Sequence, residues 1–186
     1  MEEEYTMEWT LPTLTTERLT LRAVTMDDAE DMFTYGSNEN VTKYVLWHTH
    51  ESIEDTKEFI EMAVETYKMQ PFYHWGIIYN GKFIGTIDYV MLQQHNKVGE
   101  IGYVLAEEYW NKGIVTEAAK KVIEFGFHKL GLVRVQARCV TENIGSSRVM
   151  EKSGMTYEGT LRKALFMKGS HRDVEMYAIT DEDSRS

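Results

Sequence analysis

One cysteine, Cys139, is the whole thiol content of this 186-residue chain, and a single thiol excludes an internal disulfide. That count agrees with a reducing compartment. No apolar run approaches the length needed to span a bilayer, so no membrane partner is expected. Positive charge is scarce too: 20 Lys and Arg against 30 Asp and Glu leave a net charge of −10. Such a balance argues against general nucleic-acid binding and favours cationic partners such as amines or basic protein tails. The start, MEEEYTMEW, is acidic where a secretory or mitochondrial leader is basic, so a cytoplasmic location is expected. Internal repeats and low-complexity stretches are absent. Neither a Walker loop nor a Gly-x-Gly-x-x-Gly run occurs, which disfavours a nucleotide-binding protein. His48-Thr49-His50 has no second cluster of ligands to accompany it, so no metal is expected.

What remains is a globular composition, 42% hydrophobic with 12% aromatics, at the size of one domain. Strands are expected at 18–23, 72–79, 82–94, 98–105, 133–140, 155–166 and 173–180. Asn80-Gly81 and Lys168-Gly169 supply the turn chemistry of two hairpins. Helices are expected after Thr25 as N-cap, over 52–69 up to Pro71, over 116–130, and over 146–152. Early helices, a meander, a helical crossover and a closing hairpin make an α+β fold with a mixed sheet. The domain spans 14–180, with 1–13 and 181–186 as flexible termini.

The segment from Glu100 to Phe127 runs a strand, EIGYVLA, through EEYWNKG into a long helix, with Gly113 at the junction. The amides of Lys112, Gly113, Ile114, Val115 and Thr116 then lie at the helix's positive end, unpaired within it, where a pyrophosphate fits. Gly113 lets backbone approach such a ligand closely, and Lys112 adds a full charge. An ordinary strand, turn and amphipathic helix is the plainer alternative.

Trp110-Asn111-Lys112-Gly113-Ile114-Val115 is similar to the pyrophosphate loop, Arg/Gln-x-x-Gly-x-Gly/Ala, of the GNAT superfamily of acetyl-CoA-dependent N-acetyltransferases. Asn143, Ser146, Arg148, Lys152 and Gly154 resemble the later CoA-side helix of that superfamily. Thr16-Glu17-Arg18-Leu19-Thr20-Leu21-Arg22 resembles the opening strand of its RimJ/RimL branch, which acetylates protein N-termini. Trp110 stands for the usual Arg or Gln, and Val115 for the usual Gly or Ala. The resemblance implies a mixed, mainly antiparallel central sheet flanked by helices. The strand ending at Leu105 and the strand at 133–140 would splay apart, with pantetheine between them. It also implies that acetyl-CoA is held by Val104, Leu105, Lys112, Gly113, Ile114, Val115, Thr116, Asn143 and Ser146.

Acetyl transfer to an amine needs a neutral nucleophile, a polarised thioester carbonyl and a donor for the departing thiolate. At pH 7 an α-amine of pKa about 7.8 deprotonates at a cost of about 1 kcal/mol, and a lysine of pKa about 10.4 at roughly 5 kcal/mol. A weak base therefore suffices for an N-terminus. By the resemblance Glu100 is the candidate base, directly or through water; its alternative is a solvent-facing charge alternating with Ile101 and Tyr103. Ser146 is the candidate donor near the thioester sulfur, or else a capping hydroxyl. Asn143 reaches pantetheine or caps its helix. Met150 occupies the position where many relatives carry a tyrosine acid. Cys139 reads as a buried strand thiol, and Tyr44, Trp47, Tyr67, Trp75 and Tyr89 as core or as an aromatic acceptor groove. The implied function is an acetyl-CoA-dependent acetyltransferase of a protein N-terminus, monomer or homodimer. A small amine as acceptor and a non-catalytic CoA-binding module are the alternatives.

Overall fold

The computed structural model describes residues 9–185. Eight strands form one sheet: β1 (Leu14–Thr15), β2 (Leu19–Arg22), β3 (His74–Tyr79), β4 (Lys82–Gln93), β5 (Val98–Leu105), β6 (Arg134–Val140), β7 (Thr156–Met167) and β8 (Ser170–Thr180). Their spatial order is β1-β2-β3-β4-β5-β6-β8-β7, and every neighbouring pair is antiparallel except β5 with β6. Five helices accompany them: α1 (Ala29–Gly36), α2 (Glu39–Thr42), α3 (Ile53–Met69), α4 (Ile114–Lys129) and α5 (Ile144–Lys152). This is the expected α+β architecture in a single domain.

Local chemistry explains the boundaries. Asn80 and Gly81 both take positive φ, the requirement of a tight hairpin turn, and Lys168 and Gly169 do the same between β7 and β8. Ser52 and Asp55 form a reciprocal capping box at the start of α3. Thr25 and Asp28 form another, but it opens a 3-10 turn over Met26–Asp28 that leads into α1, a tighter start than a single helix from Thr25. Two short elements, β1 and α2, escape sequence reading because two or four residues carry no measurable periodicity.

The sheet lies between two helical layers. On one face α4 and α5 pack Ile114, Val115, Ala118, Val122 and Met150 against Leu21, Trp75, Ile87, Ile101 and Val135. On the other, α1 and α3 pack Met32, Tyr35 and Ile60 against Phe83 and Ala106, with Val104 alongside. The apolar spacing of α4 at positions 114, 115, 118, 119, 122, 123 and 126 is the stripe that fixes its orientation. Of the termini expected to be flexible, residues 1–8 and 186 lie outside the described residues. Residues 9–13 are docked instead: Trp9 meets Tyr73 edge-on at 5.5 Å, Leu11 packs on the core, and Pro12 accepts a hydrogen bond from the Trp75 indole at 2.8 Å. At the other end Asp183 caps its own 3-10 turn by accepting from the Thr180 amide at 2.9 Å.

Candidate active site

Where β5 meets β6 the sheet opens. Their parallel pairing covers Val98 with Arg134, Gly99 with Val135, and Glu100 with Gln136, and ends there. Beyond it, β5 continues to Leu105 against β4, while β6 continues to Val140 against β8. Residues 101–105 and 137–140 thus line a fork, with backbone on each lip released from strand pairing. The splay implied by the resemblance is present.

The cradle stands at the start of α4. Gly113 caps the helix at φ 72° and ψ 9°, a left-handed conformation that suits glycine. The first intrahelical bond runs from the Glu117 amide to Gly113 O at 3.0 Å, so the amides of Ile114, Val115 and Thr116 lie before the ladder begins. Val115 does not crowd the loop, because its side chain is buried in the α4 core. Lys112 is exposed and sets its ammonium 5.3 Å from the Tyr109 ring centre. Trp110 donates its indole N–H to Leu105 O at 2.8 Å, pinning the loop to the end of β5.

Sequence reasoning missed Arg18 here. Its guanidinium donates to Lys112 O at 3.1 Å and to Glu117 Oε2 at 2.6 Å, and its Nη2 lies 3.7 Å from where a Cβ on residue 113 would sit. Thr16 also donates to Glu117. Burial pushes the Glu117 carboxyl up, but the bonds from Thr16 and Arg18 outweigh it and hold the group below its ordinary value. A negative charge that would oppose an anion in this first turn is thereby matched by a cation beside the cradle. The Thr16-Glu17-Arg18 run held the signal, read only as a strand.

The two faces of the fork differ. Ile101, Tyr103 and Leu105 turn toward α4 and α5, so Glu100, Gly102 and Val104 turn toward α1 and α3. On the α5 side the Tyr103 hydroxyl lies 2.9 Å from Ser146 Oγ and 3.1 Å from Ser146 O, and burial pushes its pKa up. Cys139 is next to this pair, with its thiol pushed up to about 11 by burial. Asn143 caps α5 by accepting from the Ser146 amide at 3.2 Å, which leaves its side-chain amide nitrogen with no partner among the described residues. Both readings of Asn143 are therefore compatible: oxygen for the helix, nitrogen for a ligand.

On the α1 side Glu100 is buried at the closed end of the fork. Arg138 Nε lies 2.9 Å from its Oε1, and Gln136 donates to its Oε2 at 2.8 Å. It is no solvent-facing charge. Trp47 lines a slot of about 20 Å³ with Tyr35, His50, Thr86 and Val104. Trp75 and Tyr89 are core residues of the opposite face, and Tyr89 donates to Val122 O through a gap that Gly126 leaves open. Among the described residues no group of three or more His, Cys, Asp or Glu is arranged to hold a metal, and no helix is long and apolar enough to cross a membrane.

A profile of the acetyltransferase (GNAT) domain matches residues 18–156. The chain is 37% identical over 170 residues to the uncharacterized N-acetyltransferase YoaA of Bacillus subtilis, covering 90% of this chain and 96% of that protein. It is 29% identical over 128 residues to the ribosomal-protein-serine acetyltransferase of Escherichia coli, covering 69% and 72%. A crystal structure of a GNAT-family acetyltransferase from Bacillus anthracis superposes with a TM-score of 0.81 at 31% identity, covering 92% of this chain and 99% of that one. The chain belongs to the GNAT family: it is an acyltransferase, and acetyl-CoA is its cosubstrate. Free first-turn amides, a left-handed glycine and unpaired strand lips fit that molecule's pyrophosphate and pantetheine arm.

Proposed function

We propose that this enzyme transfers acetyl to a protein N-terminal α-amine, in the manner of the RimJ/RimL branch, by direct attack with both substrates bound. The observation that carries the direct route is the fork, which joins two faces of one sheet through the gap that opens beyond Glu100 and Gln136. Lys112, Arg18 and the amides of 113–116 hold phosphate on the α4 side, Asn143 and the lips at Val104 and Leu105 orient the arm, and the acceptor approaches from the α1 side. Glu100 takes, through a water, the proton that the amine sheds as its nitrogen bonds to the acyl carbon and the carbon–sulfur bond breaks. Both of its oxygens are already engaged, so a remaining lone pair must serve. An α-amine asks little of a base, since about 1 kcal/mol at pH 7 deprotonates it. The Tyr103 hydroxyl, which donates to Ser146 O at 3.1 Å and lies 2.9 Å from Ser146 Oγ, holds the serine whose hydroxyl serves the departing sulfur.

Two lines support an N-terminus over a small amine. Relatives include a ribosomal-protein-serine acetyltransferase, and the opening strand that resembles the RimJ/RimL branch is the one whose Arg18 completes the cradle. Acceptor profiling tests the reading: acetyl-CoA, a peptide panel varied at residues one and two, and a parallel panel of small amines. Peptides are expected to lead in kcat/KM, and those followed by basic residues to lead among them, by an amount that salt reduces. Small amines outrunning every peptide would replace this reading with the small-amine one.

A further inference from the structure

At the second open rung of the fork, the first whose side chains turn this way, the face toward α1 and α3 carries one row across the sheet. His74 on β3 is opposite Asp88 on β4, and Asp88 is opposite Gly102 on β5. Continuing the β5–β6 register two residues beyond Glu100 and Gln136 puts Arg138 on the far lip of the same row. Arg138 is committed to Glu100.

Asp88 is fixed from behind. His74 Nδ1 lies 3.1 Å from Asp88 Oδ2, and since a carboxylate accepts, Nδ1 carries the hydrogen. The His74 ring is buried, stacked on Phe72 at an interplanar angle of 3° and met edge-on by Phe59. Its Nε2 is buried with no hydrogen-bond partner among the described residues. Such a nitrogen costs free energy, which a phenylalanine in the same aromatic stack would avoid. What the imidazole gains in return is its bond to Asp88.

The other carboxylate oxygen is open. Asp88 Oδ1 accepts no hydrogen bond among the described residues, the side chain is 21% exposed, and no Lys or Arg pairs with it. It lies 3.3 Å from the point a Cβ on residue 102 would occupy. A Cβ at residue 102 would press on Val90 Cγ1 at 2.8 Å as well as on this oxygen, so glycine leaves room beside Oδ1 that any other residue would fill. Glu100 and Glu117 each have an arginine. A half-buried carboxylate with one oxygen anchored by a histidine and the other without a hydrogen-bond donor among the described residues is suited to accept from an ammonium.

Resting on the reading that the acceptor is an amine, we propose that Asp88 is the ammonium-binding residue of this enzyme, with His74 as its positioning residue and Gly102 as its window. The protonated primary amine docks on Oδ1 at this rung, beside the Glu100 end of the fork, and passes its proton through a water to Glu100. The carboxylate recognises the charged form, so the contribution is to acceptor binding.

The test is steady-state kinetics on the best acceptor of the panel for wild type, Asp88→Asn and Gly102→Ala, with acetyl-CoA affinity measured by calorimetry. Asparagine keeps an oxygen for the His74 N–H, so the fold is retained. Asp88→Asn is expected to raise acceptor KM at least tenfold, with kcat within about threefold and the acetyl-CoA Kd unchanged. Gly102→Ala, whose methyl displaces Val90 and crowds Oδ1, is expected to raise acceptor KM as well. KM within twofold of wild type in both variants would overturn the inference and leave the acetyltransferase reading standing, as would an Asp88→Asn loss that falls on kcat and acetyl-CoA affinity together. A wild type that binds acetyl-CoA and acetylates no amine in either panel would overturn both.

Discussion

Replacing Gly113 by valine separates two costs that the cradle concentrates in one residue. With φ at 72°, this position is left-handed, and a Cβ there would meet only the Arg18 guanidinium, at an ordinary 3.7 Å. Crowding by the protein is therefore a minor term. The backbone is the larger one: an L-residue in this region loses about 1–2 kcal/mol, and a β-branched residue sits at the upper end. At roughly 2–4 °C per kcal/mol for a chain of this size, a loss near 2 kcal/mol lowers Tm by about 4–8 °C. The second cost is to the ligand, because two methyl groups now stand where backbone must meet phosphate. We expect the acetyl-CoA Kd to rise at least tenfold, about 1.4 kcal/mol. Calorimetry on Gly113→Val and Gly113→Asn resolves the two, since asparagine tolerates positive φ yet still carries a side chain. Asparagine should recover most of the Tm loss and little of the affinity. A valine variant with wild-type Tm would show that residue 113 is not left-handed in solution, and an unchanged Kd in a folded variant would remove the cradle from the site.

Arg18→Ala should weaken acetyl-CoA about fivefold or more, because Glu117 then faces the ligand uncompensated in the first turn, and Glu117→Gln in that background should restore part of it; equal affinities in all three proteins would sink the argument. Glu100→Gln should cut turnover toward the lower end of the 10²–10⁴ range for general bases, with acetyl-CoA binding intact and the deficit narrowing as pH rises toward the amine's own pKa; a deficit flat with pH would instead assign Glu100 to holding Arg138. Cys139, with its thiol raised to about 11, should alkylate at pH 8 with a thiolate fraction near 10⁻³, and labelling as fast as in a free thiol would contradict its burial. Burial pushes Asp28 up, but its bonds from Arg22 and Thr25 prevail and its carboxyl is held low in the fold, so its contribution is complete above the ordinary 3.8 and is lost as pH falls through the lowered value. Asp28→Asn should therefore cost roughly 2 kcal/mol in denaturant melts at pH 7 and have a flatter acid limb, whereas a constant difference from pH 7 to pH 2 would rule out the ion pair as the cause.

Local chemistry was legible in the sequence and lateral chemistry was not. The glycine before α4, both hairpin turns and the asparagine cap of α5 each announce themselves within four or five residues. The α4 stripe does so within three turns. Arg18 and Glu117 are 99 positions apart, and only the meeting of β2 with the head of α4 makes them a pair. Tyr103 and Ser146 are 43 apart, and sequence reading looked for a tyrosine on α5, at Met150, when the hydroxyl comes from β5. His74, Asp88 and Gly102 share a row only through two strand registers, and the β4 register shifts between Tyr89 and Met91, beyond what alternation alone predicts. Trp75 and Tyr89 were candidates for an acceptor groove because their side of the sheet depends on the same registers.

The fork itself explains why the site is placed where it is. β6 keeps all seven of its residues paired with β8, so parting from β5 forfeits bonds on one edge only. Backbone groups so freed and partly buried require partners, and an extended arm with amides of its own supplies them in strand-like fashion. Five residues of free β5 run about 16 Å, enough to carry such an arm from the α4 cradle to the opposite face. Charge follows the same division: Arg18 and Lys112 stand at the anionic end, while Asp88, paired with no Lys or Arg among the described residues, stands toward the other. A chain whose net charge is −10 binds a polyanion only by setting cations locally against its own field, and it meets an ammonium with that field in its favour. The gap between β5 and β6 is what runs between those two ends.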